Sequence, residues 1–312
     1  MRIAIYGAGA VGGYFGGRLA QAGEAVSFIS RGQTLQALQS QGLRVESIAG
    51  DFVVQPVQAT DEPETVGPVD LVIVAVKAWQ VPAVAEAMRP LIGPHTIVLP
   101  LQNGVEAPGQ LAAVWGQEQV IGGSCVIVAE VVAPGHIRHG GAPPTINLGE
   151  LDNRRTDRIE TLQRTFAQCQ GVTANIVNDI TTALWQKFMI IAPWSGVGAV
   201  TRAPLHTVCR QPEAHQLLKA AIAEIEAVAR AQGVALPPTA AADTLARLEN
   251  LGPGLLASMQ RDLMNGRPSE LEAQTGAVVR LGQAVGVATP VNSFIYASLL
   301  LQEQKARGEV PF

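Results

Sequence analysis

The string Gly7-Ala8-Gly9-Ala10-Val11-Gly12 follows the apolar run Ile3–Tyr6 directly and opens a stretch in which Val11, Phe15 and Leu19 recur every fourth residue. Glycines at this spacing, between a strand and an amphipathic helix, suit a bound pyrophosphate. The first permits a tight turn, the second lets backbone approach the phosphates, and the third lets the helix pack closely on the strand. The helix start adds free amides and the positive end of its dipole. Gly7, Ala8, Gly9, Ala10, Val11 and Gly12 are therefore expected to hold a dinucleotide, in preference to forming an ordinary glycine-rich turn.

Further polar residues stand where strands should end. The run Ala25–Ile29 is followed by Ser30-Arg31, with no Asp or Glu of the kind that holds a ribose hydroxyl in NAD sites. A guanidinium there suits a 2′-phosphate, so NADPH is the expected cofactor; the plain alternative is a solvated loop arginine. Lys77 follows Leu71–Val76, and Asn103-Gly104 follows Thr96–Leu99. Ligands of open α/β sheets bind at the carboxyl ends of strands, so Lys77 and Asn103 are expected to face one cleft. A surface lysine and a turn asparagine are the alternatives. In the second half, Leu184-Trp185-Gln186-Lys187-Phe188 sets a lysine among apolar residues. By itself that pattern allows a packed stem with its ammonium in water.

The elements that must position these residues change character along the chain. The first half alternates short apolar strands with helical patterns, which predicts βαβ units and a largely parallel sheet. Expected strands are Ile3–Tyr6, Ala25–Ile29, Leu71–Val76, Thr96–Leu99 and Val120–Val128. Gly42–Val57 reads as a two-stranded excursion, and Gly135–His139 with Thr145–Leu148 as a hairpin across Gly140–Pro144. Beyond residue 178 the chain turns helical, with candidates at Thr181–Ala192, Pro212–Gln232, Ala240–Leu248, Gly254–Met264, Ser269–Val285 and Val291–Lys305. The fold class is thus α/β: a Rossmann-type, NADP-binding domain over residues 1–178 and an all-helical domain over residues 179–312.

Composition narrows the function classes. A net charge of −4 provides no basic field for nucleic acid or an anionic membrane. The longest apolar run, Phe188–Val200, contains Pro193, Ser195 and two glycines and is too short to span a bilayer. Cys125, Cys169 and Cys209 lack zinc or disulfide spacing, so no metal is expected and a reducing, cytoplasmic setting fits. Met1–Tyr6 does not read as a secretory signal. The apolar content of 47% leaves room for a homodimer interface through the helical half.

The glycine string, Lys77-Ala78-Trp79-Gln80, Gln102-Asn103-Gly104, Leu184-Trp185-Gln186-Lys187, Ser258-Met259 and Arg267-Pro268-Ser269-Glu270, in this order and spacing, resemble the ketopantoate reductase (2-dehydropantoate 2-reductase) family. The resemblance covers essentially the whole chain. It implies NADPH-dependent reduction of a small 2-oxo acid, ketopantoate to pantoate in pantothenate biosynthesis. It further implies Lys187 as general acid with Glu270 beside it, Ser258 against the substrate, and Asn103 touching substrate and cofactor. Arg31 would meet the 2′-phosphate, Lys77 would lie near the nicotinamide half of the cofactor, and Glu270 would also bind the cofactor. A cation that can also give a proton suits the charge that grows on a carbonyl oxygen during hydride addition.

One stretch departs from the family pattern. Asparagines usually follow the catalytic lysine four and eight residues on, where this chain has Ile191 and Ser195; a further family asparagine aligns with Leu205. Ile191 and Ser195 would share a helix face with Lys187 if the helix runs past Pro193. A more apolar pocket wall widens the expected substrates to bulkier 2-oxo acids. A non-catalytic, NADPH-binding redox sensor is the alternative from outside enzymology.

Overall fold

The computed structural model describes residues 1–311, which divide into two compact units, Met1–Gln102 with Glu106–Ile180 and Asn103–Val105 with Thr181 onward. The first unit opens with β1 (Arg2–Tyr6), α1 (Ala10–Gln21), β2 (Ala25–Ile29), α2 (Gly32–Gln41), β3 (Leu43–Ser47), β4 (Phe52–Val54), β5 (Gln58–Thr60) and β6 (Leu71–Val74). It continues through α3 (Val81–Ala87), β7 (Ile97–Pro100), α4 (Ala107–Trp115), β8 (Ile121–Ala133), β9 (His136–Glu150), α5 (Asp157–Ala167) and β10 (Thr173–Ile176). The second unit is helical: α6 (Ile180–Thr201, its first residue in the first unit), α7 (Leu205–Arg210), α8 (Pro212–Ala231), α9 (Ala240–Glu249), α10 (Ser258–Met264), α11 (Ala277–Ala284) and α12 (Pro290–Ala306).

The first sheet is parallel throughout, in the order β5-β2-β1-β6-β7. Alternation along its strands fills two separate apolar clusters. Ile3, Ile5, Leu71, Ile73, Ile97 and Leu99 enter one, while Ala4, Tyr6, Val72, Val74 and Val98 enter the other. A sheet covered on both faces needs apolar residues at every position, and β6 is buried at all four of its residues. Strand order reverses at β1, whose neighbours are β2 and β6, so the carboxyl ends of β1 and β6 flank a topological switch point.

The second sheet corrects the sequence reading. Gly135–His139 and Thr145–Leu148 do not pair with each other; residues 136–139 and 145–148 both lie within β9, which pairs antiparallel with β8 across a turn at Gly135. The Gly140–Pro144 segment is a bulge. Val126 pairs with Thr145 and Val128 with Gly140, so several residues of β9 stand opposite Ile127 alone. Glycines and prolines mark a bulge as readily as a turn. The sheet order is β10-β9-β3-β4 with β8 on β9, and β3–β4 is the excursion expected over Gly42–Val57.

In the helical unit, α6 runs unbroken through Pro193 to Thr201, beyond the expected end at Ala192. Burial explains the persistence. Phe188, Met189, Ala192 and Val197 enter the core of this unit, and packing offsets the lost backbone donor. Two other helices are shorter than expected. Residues 254–257 are not helical, because Gly254 takes a positive φ of 77° and α10 begins at Ser258. Ser269–Val285 is not one α-helix: Glu272–Gly276 forms a π-helical turn before α11. Among the described residues no helix is long and apolar enough to cross a membrane.

Candidate active site

The glycine turn leaves β1 at the switch point. Gly7 has φ +102°, a conformation that favours glycine, and a Cβ there would lie 2.9 Å from Val76 Cγ1. At Gly12 a Cβ would fall 2.0 Å from the Gly7 carbonyl oxygen, so the turn closes only with hydrogen at both positions. Gly9 differs: a Cβ there meets nothing within 4 Å. It caps α1, whose first turn carries no acidic side chain. The open space above Gly9 and the free amides at the start of α1 form a cradle suited to an anion, and the turn therefore fits a dinucleotide pyrophosphate.

Arg31 is exposed at the N-cap of α2, two residues after the end of β2. Its guanidinium interacts with the hydroxyl of Tyr6, the last residue of β1. Burial pushes the Tyr6 phenol up, Arg31 pulls against that shift, and Glu64 adds to it. Lys77 follows β6 and caps a single 3-10 turn, Ala78–Gln80, with its backbone N–H donating to Gln80 Oε1 at 3.2 Å. Gln102 escaped the sequence reading as a site residue. Its Nε2 donates to the carbonyls of Val74 (2.9 Å) and Val76 (3.1 Å), tying the end of β7 to the end of β6. Its position beside Asn103 was the available signal.

In the helical unit, Asn103 Nδ2 donates to Glu270 Oε2 at 3.1 Å, joining two residues far apart in sequence. Glu270 is 5% exposed. The segment that carries it is anchored through Ser269, whose backbone N–H donates to both Glu303 oxygens at 3.0 Å and whose hydroxyl donates to Oε2. Arg307 closes the clamp, donating to Glu303 Oε1 (2.7 Å) and to the Ser269 carbonyl (3.1 Å). Lys187 is half-buried on α6, next to the edge-to-face pair Trp185–Phe188 at 5.5 Å. Because α6 continues, Lys187, Ile191 and Ser195 occupy one helical row. Ser258 is the first residue of α10 and half-buried. Leu205 is buried in the core of the unit.

Several buried polar atoms in this unit lack hydrogen-bond partners: Ser195 Oγ, Trp194 Nε1, Gln260 Oε1, Thr275 Oγ1 and both amide atoms of Gln274. Of these residues only Ser195 was expected at the site. No sequence signal distinguished Gln274 and Thr275 from ordinary helix residues. Among the described residues no group of three or more His, Cys, Asp or Glu is arranged to hold a metal ion.

Comparison with known proteins bears on this geometry. Residues 3–153 match the family profile described as ketopantoate reductase PanE/ApbA, and residues 179–303 match its C-terminal counterpart. The uncharacterized oxidoreductase YkpB of Bacillus subtilis is 31% identical over 305 residues, covering 97% of this chain and 99% of that protein. A 2-dehydropantoate 2-reductase of Mesorhizobium japonicum is 31% identical, with 95% and 96% covered. Among solved structures, a PanE/ApbA family ketopantoate reductase from Ralstonia eutropha superposes with a TM-score of 0.90 at 34% identity, covering 98% of this chain and all of that one. The parallel sheet with its glycine turn, the helical second unit and matches along nearly the whole length agree: the chain belongs to the ketopantoate reductase (PanE/ApbA) family of NADP-dependent oxidoreductases.

Proposed function

We propose that the protein reduces a 2-oxo acid to the 2-hydroxy acid with NADPH, ketopantoate to pantoate being the first reaction to test. The observation that carries this reading is the Asn103–Glu270 hydrogen bond, which holds two of the expected site residues together within one unit. Gly7–Gly12 would hold the pyrophosphate, Arg31 the 2′-phosphate, and Lys77 would lie toward the nicotinamide half. The nicotinamide, when bound, supplies the hydride.

The remaining chemistry belongs to the chain. Lys187 stabilises negative charge on the carbonyl oxygen as it develops and gives that oxygen its proton. Glu270, held by Asn103 and by the Ser269–Glu303 clamp, orients the ammonium. Ser258 contacts the substrate, and Ile191 and Ser195 form the wall beyond Lys187, apolar in its first turn and hydroxylic in its second.

Absorbance of NADPH followed with ketopantoate and with bulkier branched 2-oxo acids tests the reading. Oxidation dependent on one of these acids supports it. Tight NADPH binding with no oxidation by any of them would instead favour a cofactor-sensing role. An Ile191→Asn variant that prefers ketopantoate more strongly than the native chain would locate the wall.

A further inference from the structure

The π-helical turn that follows Glu270 carries a side chain whose chemistry is unspent. Gln274 is 0% exposed and neither its Nε2 nor its Oε1 has a partner. Its own backbone N–H donates to the Glu270 carbonyl at 3.0 Å, so Gln274 follows Glu270 by one helical turn of backbone. Thr275, next along and 1% exposed, has an unpartnered Oγ1. That oxygen would lie 3.2 Å from a Cβ placed on Gly196 of α6. Ser195, adjacent to Gly196, is 0% exposed with an unpartnered Oγ and ends the row that starts at Lys187 and Ile191. Burying one carboxamide and two hydroxyls unsatisfied costs about as much as losing several hydrogen bonds, and a fold that keeps them has a use for them. Gln260 makes a partial contrast: its Oε1 is also unpartnered, but its Nε2 donates to the Gly198 and Ala203 carbonyls, a structural role, whereas Gln274 uses neither amide atom. π-Turns occur disproportionately at functional sites.

We propose that Gln274, with Thr275 and Ser195 beside it, is a specificity-determining group that recognises a hydroxyl on the 2-oxo acid, supplying from the Glu270 segment the amide that α6 lacks at Ile191. The proposal rests on the reductase reading above. A carboxamide offers one acceptor and two donors. A hydroxyl answers both kinds, an alkyl group answers neither, and a carboxylate leaves Oε1 without a donor. A site built to hydrogen-bond a hydroxyl rejects the analogue that lacks it by far more than a methylene-sized fit can achieve.

The test uses the full chain, native and as Gln274→Leu, with ketopantoate and the same acid bearing methyl in place of hydroxymethyl. Turnover with NADPH is measured, together with calorimetric binding of the two matching 2-hydroxy acids to the NADP-loaded protein. The native protein is expected to prefer the hydroxylated partner by about a hundredfold or more, and Gln274→Leu to cut that preference at least about tenfold without weakening use of the methyl analogue. An unchanged preference in folded Gln274→Leu overturns the proposal and leaves the carboxamide a structural role. If Gln274→Leu does not fold, Thr275→Val decides: a reduced preference supports the proposal and an unchanged one overturns it. Should the native protein oxidise NADPH with neither acid, the reductase reading fails. The binding ratio and its change in the variant then still decide the role of Gln274.

Discussion

Replacing Gly9 by alanine adds one methyl group to the glycine turn at the point where the protein leaves room for it. The backbone there has φ −76° and ψ −163°, which any residue adopts, and the new Cβ meets no protein atom within 4 Å. Two small effects on stability oppose each other. A less flexible unfolded chain gains roughly 0.4–1 kcal/mol, and exchanging a glycine cap for alanine loses roughly 0.5–1 kcal/mol. Thermal unfolding of Gly9→Ala without cofactor should therefore match the native protein closely. Binding should not. The methyl occupies the place proposed for the pyrophosphate, and overpacking by a methyl-sized group costs about 1–3 kcal/mol, or roughly 5- to 150-fold in the Kd for NADPH. Gly12→Ala is the control, since its Cβ would fall 2.0 Å from the Gly7 oxygen; it should lower stability as well as binding. Fluorescence titration with NADPH alongside thermal melts reads both quantities. Native affinity in a folded Gly9→Ala protein would refute the placement of the cofactor at this turn.

Arg31→Ala should raise the Kd for NADPH by about tenfold and leave that for NADH unchanged, the lower end of the charged hydrogen-bond range because Arg31 is exposed; equal effects on both cofactors would remove its assignment to the 2′-phosphate. Glu303→Gln, which weakens the buried clamp on Ser269, should cost about 1–3 kcal/mol in chemical denaturation, and an unaltered midpoint would show the clamp to be dispensable. Burial pushes the Cys169 thiol up to about 12, so at pH 8 only about one molecule in 10⁴ carries its thiolate. The native protein should then leave Cys169 unmodified by thiol reagents that label it readily after unfolding; rapid labelling of Cys169 in the folded protein would contradict its buried setting.

Much of the first unit was legible because its signals are local. Strands such as Leu71–Val74 are apolar at every position, and the glycine spacing states a turn that almost no other residues could make. Elements with weaker patterns went unread, including the edge strand β5, the short α7, and β10, which is only half-buried. The errors share a cause. Gly140, Gly141, Pro143 and Pro144 suggested a turn, whereas pairing with β8 absorbs them as a bulge. Pro193 suggested a helix end, whereas burial on the residues around it carries α6 onward. In both cases long-range packing outweighed a local preference. At the candidate site, residue types could be chosen from sequence but not their partners. Asn103 and Glu270 are bonded across a separation of 167 residues, and the unsatisfied Gln274 becomes visible only when its surroundings are known.

The central claim is that Lys187 provides the proton for reduction of the carbonyl. Steady-state turnover of Lys187→Ala with its best 2-oxo acid, measured beside the Kd for NADPH, tests it most directly. The account predicts that kcat falls by about 10²–10⁴ while NADPH affinity stays within about twofold of native. Native turnover in that variant would contradict it.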